Sequence, residues 1–295
     1  MGKRIFLFLV TNIVIVLTLS VLMSVFGIGQ YITPYGLDIQ ALAVLCLVWG
    51  MGGSFISLQM SRWVAKKATG VKLIQGQTGQ EELDWVYQTV SRLAQQANLP
   101  TPEVGVYDSA ELNAFATGPS KKRSLVAVST GLLRSMRREE VEGVLAHEIA
   151  HIGSGDMVTM TLLQGIINAF VMFFARIIAY VIVNALTRSS NSRSSWMLEF
   201  MIIMVLQVVL GILGSLVTSW FSRYREFKAD AEGARLAGRE KMIGALKRLM
   251  ANTEMVESHH ESLATLKING RRGWAMFFST HPPLQKRISA LEVNS

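Results

Sequence analysis

Four long runs of apolar residues constrain the fold of this 295-residue chain more than any other feature. They extend from Ile5 to about Ile28, from Ala41 to about Met60, from Val158 to about Val183, and from Met197 to about Trp220. A helix of about 20 apolar residues is long enough to cross the hydrocarbon core of a bilayer. We therefore predict four transmembrane helices. The first should remain uncleaved, because its apolar stretch is longer than the apolar region of a signal peptide.

The basic residues near these runs predict their orientation. The loop from Gly29 to Asp38 contains no Lys or Arg. Basic side chains instead follow the second and fourth runs: Arg62, Lys66, Lys67, Lys72, Arg223, Arg225 and Lys228. Because basic loops stay on the cytoplasmic side of a membrane, both termini and the segments 62–157 and 221–295 are expected in the cytoplasm.

Composition argues against a nucleic-acid partner and against sites built from several cysteines. The net charge is +8, but no basic run is interleaved with aromatic residues as in a nucleic-acid groove, so we expect no nucleic-acid partner. Cys46 is the only cysteine and lies in an apolar run. An internal disulfide and a thiolate metal cluster are therefore excluded.

The segments outside the apolar runs have the patterns of a small folded domain. Residues 62–157 predict a helix, three short strands that form a small antiparallel sheet, and a second helix, over Glu81–Asn98, Glu103–Tyr107, Asn113–Thr117, Ser124–Ser129 and Met136–Gly153. Residues 221–295 predict two further helices, Arg239–Asn252 and Leu284–Val293, around a polar loop over Glu254–Arg272.

The predicted fold is thus an α+β membrane protein in four parts. Residues 1–61 hold two transmembrane helices, and residues 158–220 hold a transmembrane hairpin. Residues 62–157 and 221–295 are two parts of one cytoplasmic domain.

The second predicted helix of residues 62–157 contains the sequence His-Glu-x-x-His. His147 and His151 are four residues apart, so their imidazoles share one helix face and can reach one metal ion. Glu148 can then accept a proton from a water molecule at that ion. The alternative is a surface helix that carries two histidines by chance. The apolar flanks of the motif favour a buried helix, in which a metal would satisfy both rings.

A catalytic zinc ion generally has three protein ligands and one open position. In some zinc proteases the third ligand lies six residues after the second histidine. Asp156 is adjacent to that position but out of register, and His259 and His260 have no ligand-like spacing. Glu226 and Asp230 are four residues apart directly after the fourth apolar run. The hairpin formed by the third and fourth runs should return this segment to the motif helix. One carboxylate would bind the metal, and the other would orient a ligand histidine. A solvated, charged helix start is the alternative.

With these residues identified, the chain resembles the HtpX family of membrane zinc metallopeptidases, relatives of the CAAX prenyl endopeptidases. The resemblance rests on the segments "LNAFATG", "AHEIAHIGSGDMVTMTL", "WFSRYREFKADA" and "STHPPLQKRI". It implies a gluzincin-like fold with one Zn²⁺ held by His147, His151 and Glu226. It also implies that Glu148 is the general base and that Asp230 supports a ligand.

The resemblance assigns further roles. An edge strand at Asn113, Ala114 and Phe115 would pair with the substrate backbone. His281 matches the family's His-Pro element and would stabilise the oxyanion, as could Asn113, although a core histidine is the alternative. Arg287 would pair with an acid such as Asp230.

These observations predict a zinc endopeptidase of the bacterial cytoplasmic membrane. The resemblance to the HtpX family further implies that it acts on damaged or misfolded membrane proteins in quality control. One rival is a catalytically silent scaffold that holds clients in the same groove. The other is a metal transporter, but the four runs contain no pair of His, Asp or Cys suited to metal transport. Arg176 and Glu199 are expected to snorkel to the interface or to pair with each other.

Overall fold

The computed structural model describes residues 32–33, 36–186, 192–261 and 279–293. The strands are β1 (Ile32–Thr33), β2 (Gly36–Leu37), β3 (Lys72–Ile74), β4 (Glu103–Tyr107), β5 (Ala114–Ser120) and β6 (Arg123–Ser129). The helices are α1 (Ile39–Thr69), α2 (Glu81–Gln96), α3 (Thr130–Ser135), α4 (Arg138–Ser154), α5 (Asp156–Leu186), α6 (Ser192–Ala237), α7 (Arg239–Glu261) and α8 (Leu284–Val293).

The chain divides into two compact units. The first contains the described residues up to Ser54 together with Gln164–Ser215, and the second contains Phe55–Leu163 together with the described residues from Leu216 onward.

The first unit consists of apolar helical segments and the paired strands β1 and β2. Within the described residues, three helical stretches are long and apolar enough to cross a membrane: Ile39–Thr69, Asp156–Leu186 and Met197–Ala237. They contain the second, third and fourth predicted runs, whereas the first run, Ile5–Ile28, lies outside the described residues. A Cβ atom at Gly50 would lie 2.6 Å from the backbone nitrogen of Ala169, so only glycine permits this close helix approach.

The two charged residues of these apolar segments lie near each other. Arg176 is buried, donates a hydrogen bond to the carbonyl of Met172 at 3.1 Å, and interacts electrostatically with Glu199. This arrangement favours a pair of opposite charges over two separate snorkelling side chains.

The second unit is built on a four-stranded sheet with the order β3-β4-β6-β5. The predicted antiparallel sheet is only partly right. Pairs β3–β4 and β5–β6 are antiparallel, but β4 and β6 are parallel. After β4 the chain first forms the edge strand β5, then turns at Lys121–Lys122 and inserts β6 between β4 and β5. This order imposes parallel pairing on β4 and β6. The three-residue strand β3 was not predicted, because it is too short to show an alternating pattern.

A hydrophobic core fixes the helices of this unit against the sheet. It includes Val90 and Leu93 of α2, Val126 of β6, and Leu145 and Ile149 of α4, all with no exposed surface. Because α4 is buried on several sides, its polar residues are held in fixed positions.

Several helix boundaries differ from the prediction, among them those of α4 and α7. Helix α4 begins at Arg138 rather than Met136, since α3 occupies the preceding residues and the backbone N–H of Arg137 donates to the Glu140 carboxylate at 2.8 Å. Helix α7 continues to Glu261, so the first residues of the predicted polar loop are helical, and residues 262–278 lie outside the described residues.

The end of α4 sets the geometry of the site described next. Gly155 adopts a left-handed conformation (φ 69°), and its N–H donates to the carbonyl of Ile152 at 3.1 Å. A residue with a side chain would be strained there. Helix α5 then begins at Asp156, which places its carboxylate beside the last turn of α4.

Candidate metal centre

Three buried side chains converge in the second unit. His147 and His151 lie one turn apart on α4, and Glu226 lies on α6. The two Nε2 atoms are 3.0 Å apart, and the Glu226 carboxylate lies 3.3 Å from Nε2 of His151 and 3.6 Å from Nε2 of His147. The ligand atoms of all three residues lie within 4.8 Å of one another. This group could hold a metal ion.

The hydrogen bonds around the two imidazoles test whether a metal fits. Nδ1 of His147 lies 3.0 Å from Oδ1 of Asp230, and Nδ1 of His151 lies 2.6 Å from Oδ2 of Asp156. A carboxylate accepts a hydrogen bond, so in the neutral form of each ring Nδ1 carries the proton and Nε2 presents a lone pair. Two lone pairs and the buried, unsatisfied Oε1 of Glu226 therefore face one point. A metal cation would satisfy this arrangement, and two nitrogens with one carboxylate suit zinc.

The carboxylates also favour protonation of the two imidazoles. Burial opposes a positive charge on the imidazoles, but hydrogen bonds with Asp230 and Glu226 outweigh it and raise the pKa of His147. Burial also opposes a positive charge on His151, but hydrogen bonds with Asp156 and Glu226 outweigh it and raise the pKa of His151 to about 9. Burial would raise the pKa of Glu226, yet contacts with His147, His151 and His281 hold it far below its usual range. A metal ion and protons thus compete for the same nitrogens.

Asp230 is held in turn by Arg287 of α8. Nε and Nη2 of Arg287 donate to the two oxygens of Asp230 at 2.7 and 2.6 Å, and Nη1 lies 3.3 Å from Glu226. Both partners are buried. Although burial opposes ionisation of Asp230, the two Arg287 hydrogen bonds outweigh it and lower the pKa of this carboxyl. The predicted pairing of Arg287 with Asp230 is present, and the guanidinium fixes the carboxylate that orients His147.

Asp156 was considered from sequence only as a metal ligand, but here it contacts Nδ1 of His151 instead. Arg225 also lies near it, with Nη1 3.5 Å from Asp156 and Nη2 3.6 Å from Glu226. The role of Asp156 depends on the left-handed turn at Gly155. A glycine at a helix end is the one sequence signal that could have suggested this turn.

His281 reaches the group from the segment before α8. Its Nδ1 lies 2.7 Å from Oε2 of Glu226, and its side chain is 64% exposed. Arg223 donates to the carbonyl of Ser279 at 2.9 Å, and Ser279 Oγ donates to the carbonyl of His281 at 2.7 Å, so the segment is anchored next to α6. The exposure of the ring argues against the alternative of a core histidine. The side chains of His259 and His260 lie outside the described residues.

A pocket of about 300 Å³ opens beside the three converging side chains. Glu148, Asn113, Ala114 and His281 line it together with His147 and Glu226. Glu148 follows His147 on α4 and is partly exposed, so it can meet a molecule held in the pocket.

The predicted substrate strand lies at the edge of the sheet. The N–H of Ser129 donates to the carbonyl of Asn113 at 2.9 Å, and the register pairs Ala114 with Val128. Since ladder bonds alternate along an antiparallel pair, the backbone groups of Ala114 and Ala116 point away from β6. These two residues, rather than Asn113 and Phe115, have outward backbone groups. Phe115 instead packs its ring 5.7 Å from that of Tyr107.

Two histidines one turn apart on a buried helix, joined by a glutamate from a later helix, form the donor set of a class of metallopeptidases. Comparison with known proteins agrees with this class. The profile of peptidase family M48 matches residues 80–294.

Proteases named HtpX match over nearly the full length. A Protease HtpX homolog of Bacillus licheniformis is 52% identical over 300 residues and one of Methylacidiphilum infernorum is 46% identical over 297, each with 99% of both chains covered. A Protease HtpX of Aeromonas hydrophila is 50% identical, with 98% of this chain and 99% of the relative covered. The chain therefore belongs to the HtpX proteases of peptidase family M48, which confirms the family resemblance found in the sequence.

A solved structure supports the fold. The crystal structure of S. mikatae Ste24p superposes with a TM-score of 0.57 at 19% identity over 96% of this chain, which spans 65% of the length of Ste24p. Membership of family M48 indicates a metallopeptidase, and the three apolar helices indicate a membrane protein.

Proposed function

We propose that this protein is a zinc-dependent endopeptidase of the bacterial cytoplasmic membrane that cleaves misfolded or damaged membrane proteins at the cytoplasmic face. One observation carries the proposal. The buried nitrogens of His147 and His151 and the carboxylate of Glu226 converge on one point, beside a pocket that Glu148 also lines.

One zinc ion per chain would be held by Nε2 of His147, Nε2 of His151 and the Glu226 carboxylate. When bound, zinc polarises the scissile carbonyl and lowers the pKa of a water molecule. Asp230 and Asp156 keep the Nε2 atoms directed at the ion by accepting hydrogen bonds from the two Nδ1–H groups. Asp230 is therefore a positioning residue rather than a ligand.

Glu148 acts as the general base. Its carboxylate takes a proton from the attacking water and delivers it to the leaving amine. Asn113, and His281 with protons on both ring nitrogens, would donate hydrogen bonds from the pocket lining to the oxyanion that forms on the substrate carbonyl.

The substrate backbone would pair with the outer edge of β5. Ala114 and Ala116 offer backbone N–H and C=O groups there, and strand addition to such an edge binds an extended peptide largely independently of its sequence. Pairing needs a segment that is extended and whose backbone groups are not already hydrogen-bonded, and an unfolded protein offers such segments along much of its chain. This requirement suits an enzyme that removes misfolded proteins.

The orientation follows from the basic residues at the helix ends. Arg62, Lys66 and Lys67 lie at the end of α1, and Arg223 and Arg225 lie in the second half of α6. By the positive-inside rule, residues 62–157 and 221–295 would be cytoplasmic and residues 1–61 and 158–220 would hold the membrane helices.

The test of this function is cleavage of a chemically unfolded protein by the purified chain in detergent or lipid, with zinc and with a chelator. Cleavage should require zinc. Replacement Glu148→Gln should lower the rate by at least about 100-fold, because the general base is lost, and should leave zinc bound. Glu139→Gln, an exposed change on the same helix, is the matched control.

Two results would contradict the proposal. Unchanged proteolysis by Glu148→Gln would exclude the mechanism. Binding of the unfolded protein without cleavage under every zinc and lipid condition would instead identify the scaffold.

A further inference from the structure

The pocket beside Glu148 has an apolar wall that the chemistry of the metal centre does not use. This wall consists of Met242, Ala245, Leu246 and Leu249 of α7, with Val144 of α4 and Leu284 of α8. All charged side chains in the lining belong to the residues already assigned to the metal centre. The pocket is therefore polar at the metal centre and aliphatic elsewhere.

The apolar wall is part of the rigid core. Met242 and Leu246 are 2% and 1% exposed and pack with Ile288 and Leu291 of α8. The four α7 residues are spaced by three and four positions, so they occupy one face of the helix. Leu249, at the end of this face, is partly exposed and can contact a molecule in the pocket. A wall fixed in this way has a defined shape and can discriminate between side chains.

The pocket also touches the edge strand. Asn113 and Ala114, where β5 begins, form part of the same lining as His147 and Glu148. A peptide paired with β5 would direct successive side chains to opposite faces. One side chain next to the scissile bond would then point into the pocket. A volume of about 300 Å³ is at the lower limit for ligand sites, which suits one side chain and its peptide bond.

We propose that this pocket selects substrates by an aliphatic or aromatic side chain on a residue flanking the scissile bond, with Leu249 as a specificity-determining residue. The proposal rests on the endopeptidase function proposed above. An apolar side chain gains free energy by leaving water for this wall. A charged side chain would lose its hydration there, and an acidic one would also meet Glu148 and Glu226.

This selection has a consequence for the choice of substrate. Leu, Ile, Phe and Met side chains are mostly buried in folded proteins. Together with pairing along β5, the pocket would require both an extended backbone and an exposed apolar side chain. Unfolded segments commonly offer both at once, and folded proteins seldom do.

The experiment uses the full-length protein with zinc in detergent. Cleavage sites are first mapped by mass spectrometry in a chemically unfolded protein. Peptides built around one such site are then compared, with Leu, Phe, Ala, Asp or Lys at each position flanking the cut. At one of these positions kcat/KM should be at least about tenfold higher for Leu or Phe than for Ala. Asp and Lys should be cleaved more slowly than Ala.

Two variants of Leu249 test the pocket itself. Leu249→Phe should narrow the pocket and shift the preference toward Ala, and Leu249→Ala should widen it and raise the ratio of Phe to Leu. Leu73→Ala, an exposed change on β3 outside the pocket, is the matched control and should leave the preference unchanged.

The outcomes separate the two proposals. Cleavage of every peptide without a side-chain preference, or a preference for charged residues, would overturn the pocket assignment and leave the endopeptidase function intact. The same holds if both Leu249 variants fold, as judged by zinc binding and thermal unfolding, and keep the wild-type preference. Zinc-loaded protein that cleaves nothing would overturn both proposals.

Discussion

Oδ2 of Asp156 lies 2.6 Å from Nδ1 of His151, so the first residue of α5 orients a histidine on the last turn of α4. The left-handed turn at Gly155 makes this contact between two consecutive helices possible. A side chain outside the candidate ligand group thereby determines where Nε2 of His151 points.

The first prediction concerns this contact. Asp156→Asn should weaken zinc binding by about 10- to 100-fold, because the neutral amide accepts the Nδ1–H bond less strongly. The measurement is competition between the protein and a chelating dye for zinc. Asp108→Asn, an exposed change, is the control. Equal affinities of wild type and Asp156→Asn would show that this contact does not support the ligand.

The second prediction concerns Arg287. Arg287→Met should lower the free energy of unfolding by about 3–5 kcal/mol, because it removes the guanidinium that donates two hydrogen bonds to the buried Asp230 carboxylate. Arg287→Lys should lower it less, since the charge remains although the two-pronged hydrogen bonding to Asp230 is lost. The measurement is chemical unfolding of the zinc-free protein in detergent.

An exposed ion pair gives the contrast for this second prediction. Arg235 pairs with Glu232 on the surface of α6, and Arg235→Met should have a much smaller effect than Arg287→Met. Similar losses in the two variants would mean that the Arg287 cluster contributes no more than a surface pair.

The third prediction concerns pH and metal binding. In zinc-free protein the pKa of His151 is raised to about 9, so this imidazole carries an extra proton at neutral pH. Zinc needs the neutral ring, and its binding at pH 7 should therefore release at least one proton. The affinity should rise with pH up to about 9 and then level off. Calorimetric titration in buffers with different ionisation enthalpies counts the protons, and a count of zero would contradict the raised pKa.

The fourth prediction concerns Glu142, which joins α4 to its neighbours. Its carboxylate contacts Arg92 of α2 at 2.8 Å and Lys241 of α7 at 2.9 Å. Burial opposes ionisation, but both cations outweigh it and lower the pKa of Glu142 below the usual 4.5. A lowered folded-state pKa stabilises the protein above the unfolded-state pKa, and this stabilisation is lost as the pH falls through the folded-state value.

Glu142→Gln should therefore destabilise the protein by about 1 kcal/mol at pH 7 and progressively less below about pH 4.5. Thermal unfolding of wild type and variant at several pH values measures the difference. Glu139→Gln, one exposed residue on the same helix, should show no such pH-dependent difference. A constant deficit for Glu142→Gln at all pH values would indicate a packing effect instead of an ionic one.

Local patterns explain what the sequence predicts correctly. The spacing of four residues in His147–His151 and in Glu226–Asp230 places each pair on one helix face, and the structure brings the two pairs together. The apolar periodicity of α2 and α4 likewise predicts both helices to within a few residues. These features depend only on neighbours along the chain.

The remaining features depend on distant residues. The parallel pairing of β4 and β6 follows from the insertion of β6 between two earlier strands, which no local pattern encodes. Asp156 is five residues from His151, a spacing that shares no helix face, and only the turn at Gly155 brings them together. Hydrophobic periodicity cannot predict a polar contact that depends on a break between two helices.

Arg287 is the last of the residues around the candidate metal centre to be synthesised. Arg287 and His147 are 140 residues apart in the chain, yet the guanidinium of Arg287 lies 3.4 Å from the ring of His147. A ribosome makes the two histidines first, then Glu226 and Asp230, and Arg287 only afterwards. Until Arg287 is added, the Asp230 carboxylate lacks the guanidinium that donates two hydrogen bonds to it. We therefore expect a partly synthesised chain to carry the His-Glu-x-x-His motif without the complete set of contacts, and to gain the proposed proteolytic activity only after Arg287 has been added.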